Sequence, residues 1–256
     1  MLYKNNFLNQ VIFRIDFPTP METKALFSDE IISAILSVFP AKGMDRIIHY
    51  NEMELNASGD GEVRAINTRK EGLEQTFFDK TMKNKVILTN NAIIFEYNKY
   101  HSFEDMQKAV KVIVEPIWAI QGICVSRIGL RYINLYNANQ STVKVNKKMF
   151  SNGVQKLLSS SNVKTEADIK PLRSMILTEY SYGDIRVNYR TGVFNQFYPA
   201  PIVKDDYALD IDCFTQSGID SLEDISRFML TAHQITQELF EGSISDRMRE
   251  VMGNER

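Results

Sequence analysis

In QVIFRIDF, residues 10–17, Val11, Phe13, Ile15 and Phe17 share one parity while Arg14 and Asp16 share the other. A period of two predicts a strand that buries one face and leaves the other polar. The same alternation recurs in SRIGLRYINLYN, residues 126–137, where Arg127, Gly129 and Arg131 oppose Ile128, Leu130 and Tyr132. In DIRVNYR, residues 184–190, Asp184, Arg186, Asn188 and Arg190 oppose Ile185, Val187 and Tyr189, and in YALDIDCF Asp210 and Asp212 oppose Leu209, Ile211 and Cys213. If these segments belong to one sheet, its outer face carries charges of both signs.

Other stretches complete the outline. Pro18 and Pro20 end the first strand, and Ser28 with Asp29 and Glu30 heads a helix through EIISAILSVF to Pro40. RIIHYNEMEL, EVRAINTR, LEQTFFD and the long VILTNNAIIFEYNKY read as strands, with a turn at ASGDG, residues 57–61. Two long helices start at Ser102 and Ser221, each with an aspartate three residues on (Asp105, Asp224) and a helical apolar stripe behind it. Pro116 is expected to kink the first. The starts HSFEDMQ and DSLEDIS read alike, which fits either a diverged duplication of a sheet-plus-helix unit or shared capping chemistry.

The expected class is α+β: antiparallel or mixed sheets with long helices packed on the apolar face. Residues 1–137 form an N-terminal sheet-plus-helix unit. Residues 138–171, rich in Lys, Ser and Asn, form a partly irregular linker with one short helix near 147–158. Residues 172–256 hold the C-terminal strands and the second long helix, packed with the rest as one continuous domain.

Composition narrows the function classes. Thirty Lys plus Arg against 32 Asp plus Glu leave a net charge of −2 over 256 residues, so no global field draws the chain to nucleic acid or an anionic membrane. MLYKNNFLNQ lacks a basic segment followed by an apolar run, and no stretch reaches membrane-spanning length, which points to the cytoplasm. Cys124 and Cys213 lie in apolar runs far apart, without ligand spacing, and are expected to be reduced core residues.

The candidate chemistry lies on the charged face. Arginine forks could engage a phosphate or carboxylate, and Gly129 between Arg127 and Arg131 would let a ligand approach the sheet. Arg127, Arg131, Arg186 and Arg190, with Tyr132 and Asn134 beside them, are therefore the candidate binding residues. The plainer reading is a set of cross-strand ion pairs, each contributing about 0.2 to 1 kcal/mol. Asp210 and Asp212, with a third carboxylate from Asp184 or Asp16, have the spacing of a weak divalent-metal site. Arginines interleaved with tyrosines could stack single-stranded bases, or the aromatics could simply pair across strands. No zinc cluster, nucleophile elbow, P-loop or dinucleotide fingerprint is present, so no catalytic residue and no cofactor is assigned.

FRIDFP (13–18), RIGLRYIN (127–134) and AHQITQELFEGSIS (232–245) resemble a sporadically distributed family of uncharacterised bacterial proteins of about this length with a central R-x-G-L-R-Y-x-N strand. The resemblance implies one architecture for the whole chain and no particular reaction, with R-Y-x-N as a mark of the fold. In length and mixture of elements the chain is also similar to the duplicated ferredoxin-like RNA-processing proteins of CRISPR systems, but their glycine-rich C-terminal loop has no counterpart here. The resulting expectation is a non-catalytic protein that recognises a protein partner or a small anionic ligand through the arginine-bearing face. Self-association through that face is a further expectation. The alternatives are an RNA- or single-strand-binding or processing protein, and a divalent-metal-dependent hydrolase.

Overall fold

Every strand pairing in the structure, a computed structural model, is antiparallel. It describes residues 3–57, 63–136, 145–160, 172–195, 197–203 and 206–253. The first half of the chain runs β1 (Leu8–Asp16), α1 (Thr23–Leu26), α2 (Asp29–Val38), β2 (Ala41–Lys42), β3 (Arg46–Ala57), β4 (Val63–Phe78), β5 (Asn84–Thr89), β6 (Ala92–Tyr97) and α3 (Phe103–Trp118). The second runs β7 (Arg127–Tyr136), a short 3₁₀ turn at Lys147–Met149, α4 (Asn152–Ser160), β8 (Ser174–Tyr182), β9 (Ile185–Val193), β10 (Tyr207–Thr215), α5 (Leu222–Ser243) and α6 (Asp246–Met252).

These strands form one ten-stranded sheet in the order β2-β4-β5-β6-β1-β7-β10-β9-β8, with β3 paired to β4 off that path. The expected α+β class holds, with one antiparallel sheet rather than a mixed one. The central pair is β1 with β7, and the order runs outward from it alike on both sides: β6, β5, β4 on one, β10, β9, β8 on the other. In both halves a first strand is followed by helix, then by the three strands that flank it in the sheet, then by a long helix; the first half carries β2 and β3 in addition, and the second α6.

The alternation read from the sequence places the core. Val11, Phe13 and Ile15 of β1, Ile128, Leu130 and Tyr132 of β7, and Leu209, Ile211 and Cys213 of β10 are buried on the helix side. Against them pack Met106, Val110, Ile113, Val114 and Ile117 of α3 and Ile225, Phe228, Met229 and Ala232 of α5. Both long helices start on the expected caps: the Ser102 hydroxyl accepts from the Asp105 N–H at 3.0 Å, and Ser221 from the Asp224 N–H at 3.1 Å. Ser28 occupies the N-cap position of α2 without a side-chain cap bond. Among the described residues no helix is long and apolar enough to cross a membrane.

Several local expectations are revised. VILTNNAIIFEYNKY is two strands, because Asn90 and Asn91 make a two-residue hairpin turn, a conformation asparagine tolerates well. Asn90 also ties the turn down, accepting from the Leu73 N–H at 2.7 Å and donating to the Met21 carbonyl at 2.8 Å. Conversely EVRAINTR and LEQTFFD fuse into the 16-residue β4, since β3 pairs along it without a break from Val63 to Glu74, across the polar stretch between them, and β5 pairs from Glu74 on. Pro116 falls in the last turn of α3, which ends at Trp118 rather than running on to Gly122. Cys213 is buried, but Cys124 is exposed: its apolar run lies in the connection between α3 and β7, not in a strand. The expected turn at 57–61 lies, past Ala57, outside the described residues, as do 138–144 and 161–171 of the linker; the short helix expected near 147–158 is the 3₁₀ turn and α4.

Candidate functional site

Strands β1, β7, β10 and β9 are neighbours, so the polar positions read separately from each segment meet on one face. Asp16 is directly opposite Arg127, Arg131 opposite Asp212, and Asp210 opposite Arg190. The result is a ladder of alternating charge. Arg14 Nε donates to Asp16 Oδ1 at 2.7 Å, and Arg127 Nη1 to Asp16 Oδ2 at 3.4 Å. Arg131 makes a bidentate pair with Asp210, Nε to Oδ1 and Nη2 to Oδ2, both at 2.7 Å, and Arg190 Nη1 reaches the same carboxylate at 3.4 Å. Asp212 sits between the two groups, 3.9 Å from Arg127 and 4.0 Å from Arg190. Four arginines against three aspartates leave the ladder one positive charge.

The two central carboxylates differ in how they are held. Asp210 is buried, and each of its oxygens accepts from a guanidinium, the strong geometry for such a pair. That hydrogen bond also holds the Arg131 guanidinium above its ordinary pKa. Asp212 lies at the edge of ion-pair distance from its neighbours, and burial pushes its pKa up against the pull of Arg127, Arg131 and Arg190.

The space above Gly129 is not open to a ligand. A side-chain carbon there would meet the Arg127 guanidinium at 3.2 to 3.4 Å, because that arginine folds back over the glycine and stacks on the Phe214 ring, 4.8 Å from its centroid. Phe214 is directly opposite Gly129 in the sheet. It belongs to the face and was missed as a member of it, although the alternation that placed Asp210 and Asp212 places Phe214 with them. Half-buried Ile12, Ile94, Ile87 and Ile133 share the face, and Lys85 pairs with Glu96 at 3.0 Å beyond the ladder.

The remaining candidate residues are placed elsewhere. Arg186 is on this face, exposed, and has no ion pair among the described residues. Asp184 is exposed in the turn between β8 and β9, away from Asp210 and Asp212. No group of three or more His, Cys, Asp or Glu able to hold a metal ion occurs among the described residues. Tyr132 and Asn134 have the opposite parity to the arginines and face the helices. The Tyr132 hydroxyl lies 2.9 Å from His233 Nδ1 and 3.2 Å from the Tyr100 hydroxyl, while His233 stacks on Phe103 with ring centroids 4.2 Å apart. Burial raises the Tyr132 hydroxyl well above its usual pKa, pushes Tyr100 up to about 12 and lowers His233, so this cluster is neutral near pH 7. Asn134 donates to the Leu209 carbonyl at 3.4 Å. β1 pairs with β7, and α5 is fastened to β7 through His233 and Tyr132.

Compared with models of known protein families and with curated proteins, the chain has no match.

Proposed function

We propose that the protein is a non-catalytic binding protein that recognises a protein partner through the open face of its sheet. The observation that carries this reading is the ladder itself. Its guanidiniums are each paired with an aspartate, leaving one positive charge over the ladder, and half-buried isoleucines and Phe214 lie between and beside them. Arginine and aromatic groups set among apolar area are what protein interfaces use, with charge fixing register and apolar surface supplying contact. A small anion would have to displace Asp210 from both donors of Arg131. A nucleic-acid groove needs unpaired cations, whereas Arg127, Arg131 and Arg190 each have a carboxylate within 4.0 Å. A metal-dependent hydrolase needs carboxylates free to coordinate, and those of the ladder face guanidiniums.

The matching strand order on the two sides of the β1–β7 pair supports a diverged duplication, whose seam falls between α3 and β7. On this reading the face spans both repeats, and neither repeat alone presents the ladder.

The test is capture from the native cell with the parent and with Arg127→Ala combined with Arg131→Ala, alongside circular dichroism. A partner retained by the parent and lost by a variant that remains folded is the expected result. Tight, salt-sensitive binding of single-stranded RNA by the parent, or Mg²⁺ or Mn²⁺ binding by calorimetry with metal-dependent turnover, would replace this reading with one of its rivals.

A further inference from the structure

We propose that β8 pairs with β8 of a second copy of the chain, antiparallel about a twofold axis at Ile176, joining two ten-stranded sheets into one. This stands independently of what the open face binds. β8 is the last strand of the sheet order, and among the described residues only β9 pairs with it. Exposed edges are normally blunted by proline, lysine, a bulge or short length. β8 has none of these: SMILTEYSY is nine residues long, its one charge is Glu179, and its register with β9 runs unbroken from Ser174 to Tyr182. Its large side chains are open to solvent on both faces, Met175 at 40% and Leu177 at 53% on the charged side, Tyr180 at 46% and Tyr182 at 65% on the other.

The strand is also held in place for pairing. Gly192 of β9 lets β8 approach closely, since a side-chain carbon there would run into the Ser174 carbonyl oxygen and would lie 2.8 Å from Met175 Cα. Just before β8, the Leu172 carbonyl accepts from Asn195 Nδ2 at 2.6 Å, keeping that segment in line with the sheet.

Self-complementarity selects a second copy as the occupant. With the axis at Ile176, Met175 is opposite the second copy's Leu177, Ser174 opposite its Thr178, exposed Leu172 opposite its Tyr180, and exposed Arg173 opposite its Glu179. From Leu172 to Tyr180 each cross-strand pair then matches apolar with apolar, hydroxyl with hydroxyl, or cation with anion, and the twofold repeats each match. An axis at Leu177 would set Glu179 against Met175, and one at Thr178 would set it against Leu177. The Arg173 guanidinium lies over the Tyr198 ring at 4.8 Å, and the residue is exposed. In the joined sheet the two charged ladders would share one continuous face, their β10 strands five spacings or about 24 Å apart.

Sedimentation velocity of the full chain over a concentration range tests this, with circular dichroism as the check on folding. The parent is expected to dimerise. Glu179→Arg, which sets two arginine pairs face to face across the axis, should weaken the dimer by about tenfold or more, and Leu177→Lys should give a monomer. Arg173→Glu combined with Glu179→Arg should restore the dimer. A parent that is monomeric throughout, a dimer indifferent to Glu179→Arg and Leu177→Lys, or a charge-exchanged variant that stays monomeric while folded would each overturn the pairing.

Discussion

Asp210 and Asp212 are two residues apart on one strand face, yet the structure gives them different energetic roles. Asp210 is buried, with both oxygens on Arg131, so Asp210→Asn leaves a guanidinium facing an amide and is expected to cost about 2 kcal/mol. Asp212→Asn is expected to change stability by less than about 1 kcal/mol, because burial already opposes that charge and among the described residues no guanidinium is closer than 3.9 Å. The pH dependence has a definite sign. A carboxyl whose folded pKa is raised counts against the folded state once ionised, so stability falls as pH rises from the unfolded pKa through the folded one. The Asn variant should lack that fall. Urea unfolding of both variants across pH 3.5 to 7 would read the contrast as roughly that difference; equal losses at neutral pH would show the ladder to be uniform. At this scale the face of each charged residue was legible, since alternation alone fixes it. That Arg127 covers Gly129 was not, because it depends on Phe214 arriving from another strand.

Among elements, β8 depends on a close approach that only glycine permits. Gly192→Ala places a methyl against the Ser174 carbonyl and Met175 backbone, so β8 must move or detach. The expected outcome is a loss of about 2 kcal/mol or more together with faster amide exchange confined to Ser174–Tyr182. Uniform destabilisation without that local exchange would mean β8 is not held at this point. Existence and type of the long elements followed from the sequence: both capped helices and the strands at β1, β7, β9 and β10 lie where the pattern puts them. Boundaries failed where a partner decides them. The N-N turn splits one apolar run, and the unbroken pairing of β3 along β4 from Val63 to Glu74 fuses two others.

Across the whole molecule, the two halves share one sheet and one core through the β1–β7 pair. Separated at the loop between α3 and β7, as 1–122 and 123–256, each half loses the β1–β7 ladder and leaves one edge of its first strand unpaired in what is now the middle of the sheet. Each half alone is expected to lack a cooperative thermal transition by circular dichroism, and co-expression to recover one. A half that melts cooperatively by itself would show that the pairing is an interface between independent domains.

The sequence by itself determined which side chains share a face, where the long helices begin, and that one surface of the sheet would be charged, because these follow from periods of two and 3.6 and from local capping bonds. Tertiary structure alone decided that β1, β7, β10 and β9 are adjacent, that each central arginine meets an aspartate, that Tyr132 and Asn134 serve the core, and that β8 is left at an edge. Strand order and register are set by packing between segments distant in the chain, and no local pattern of residues encodes that distance.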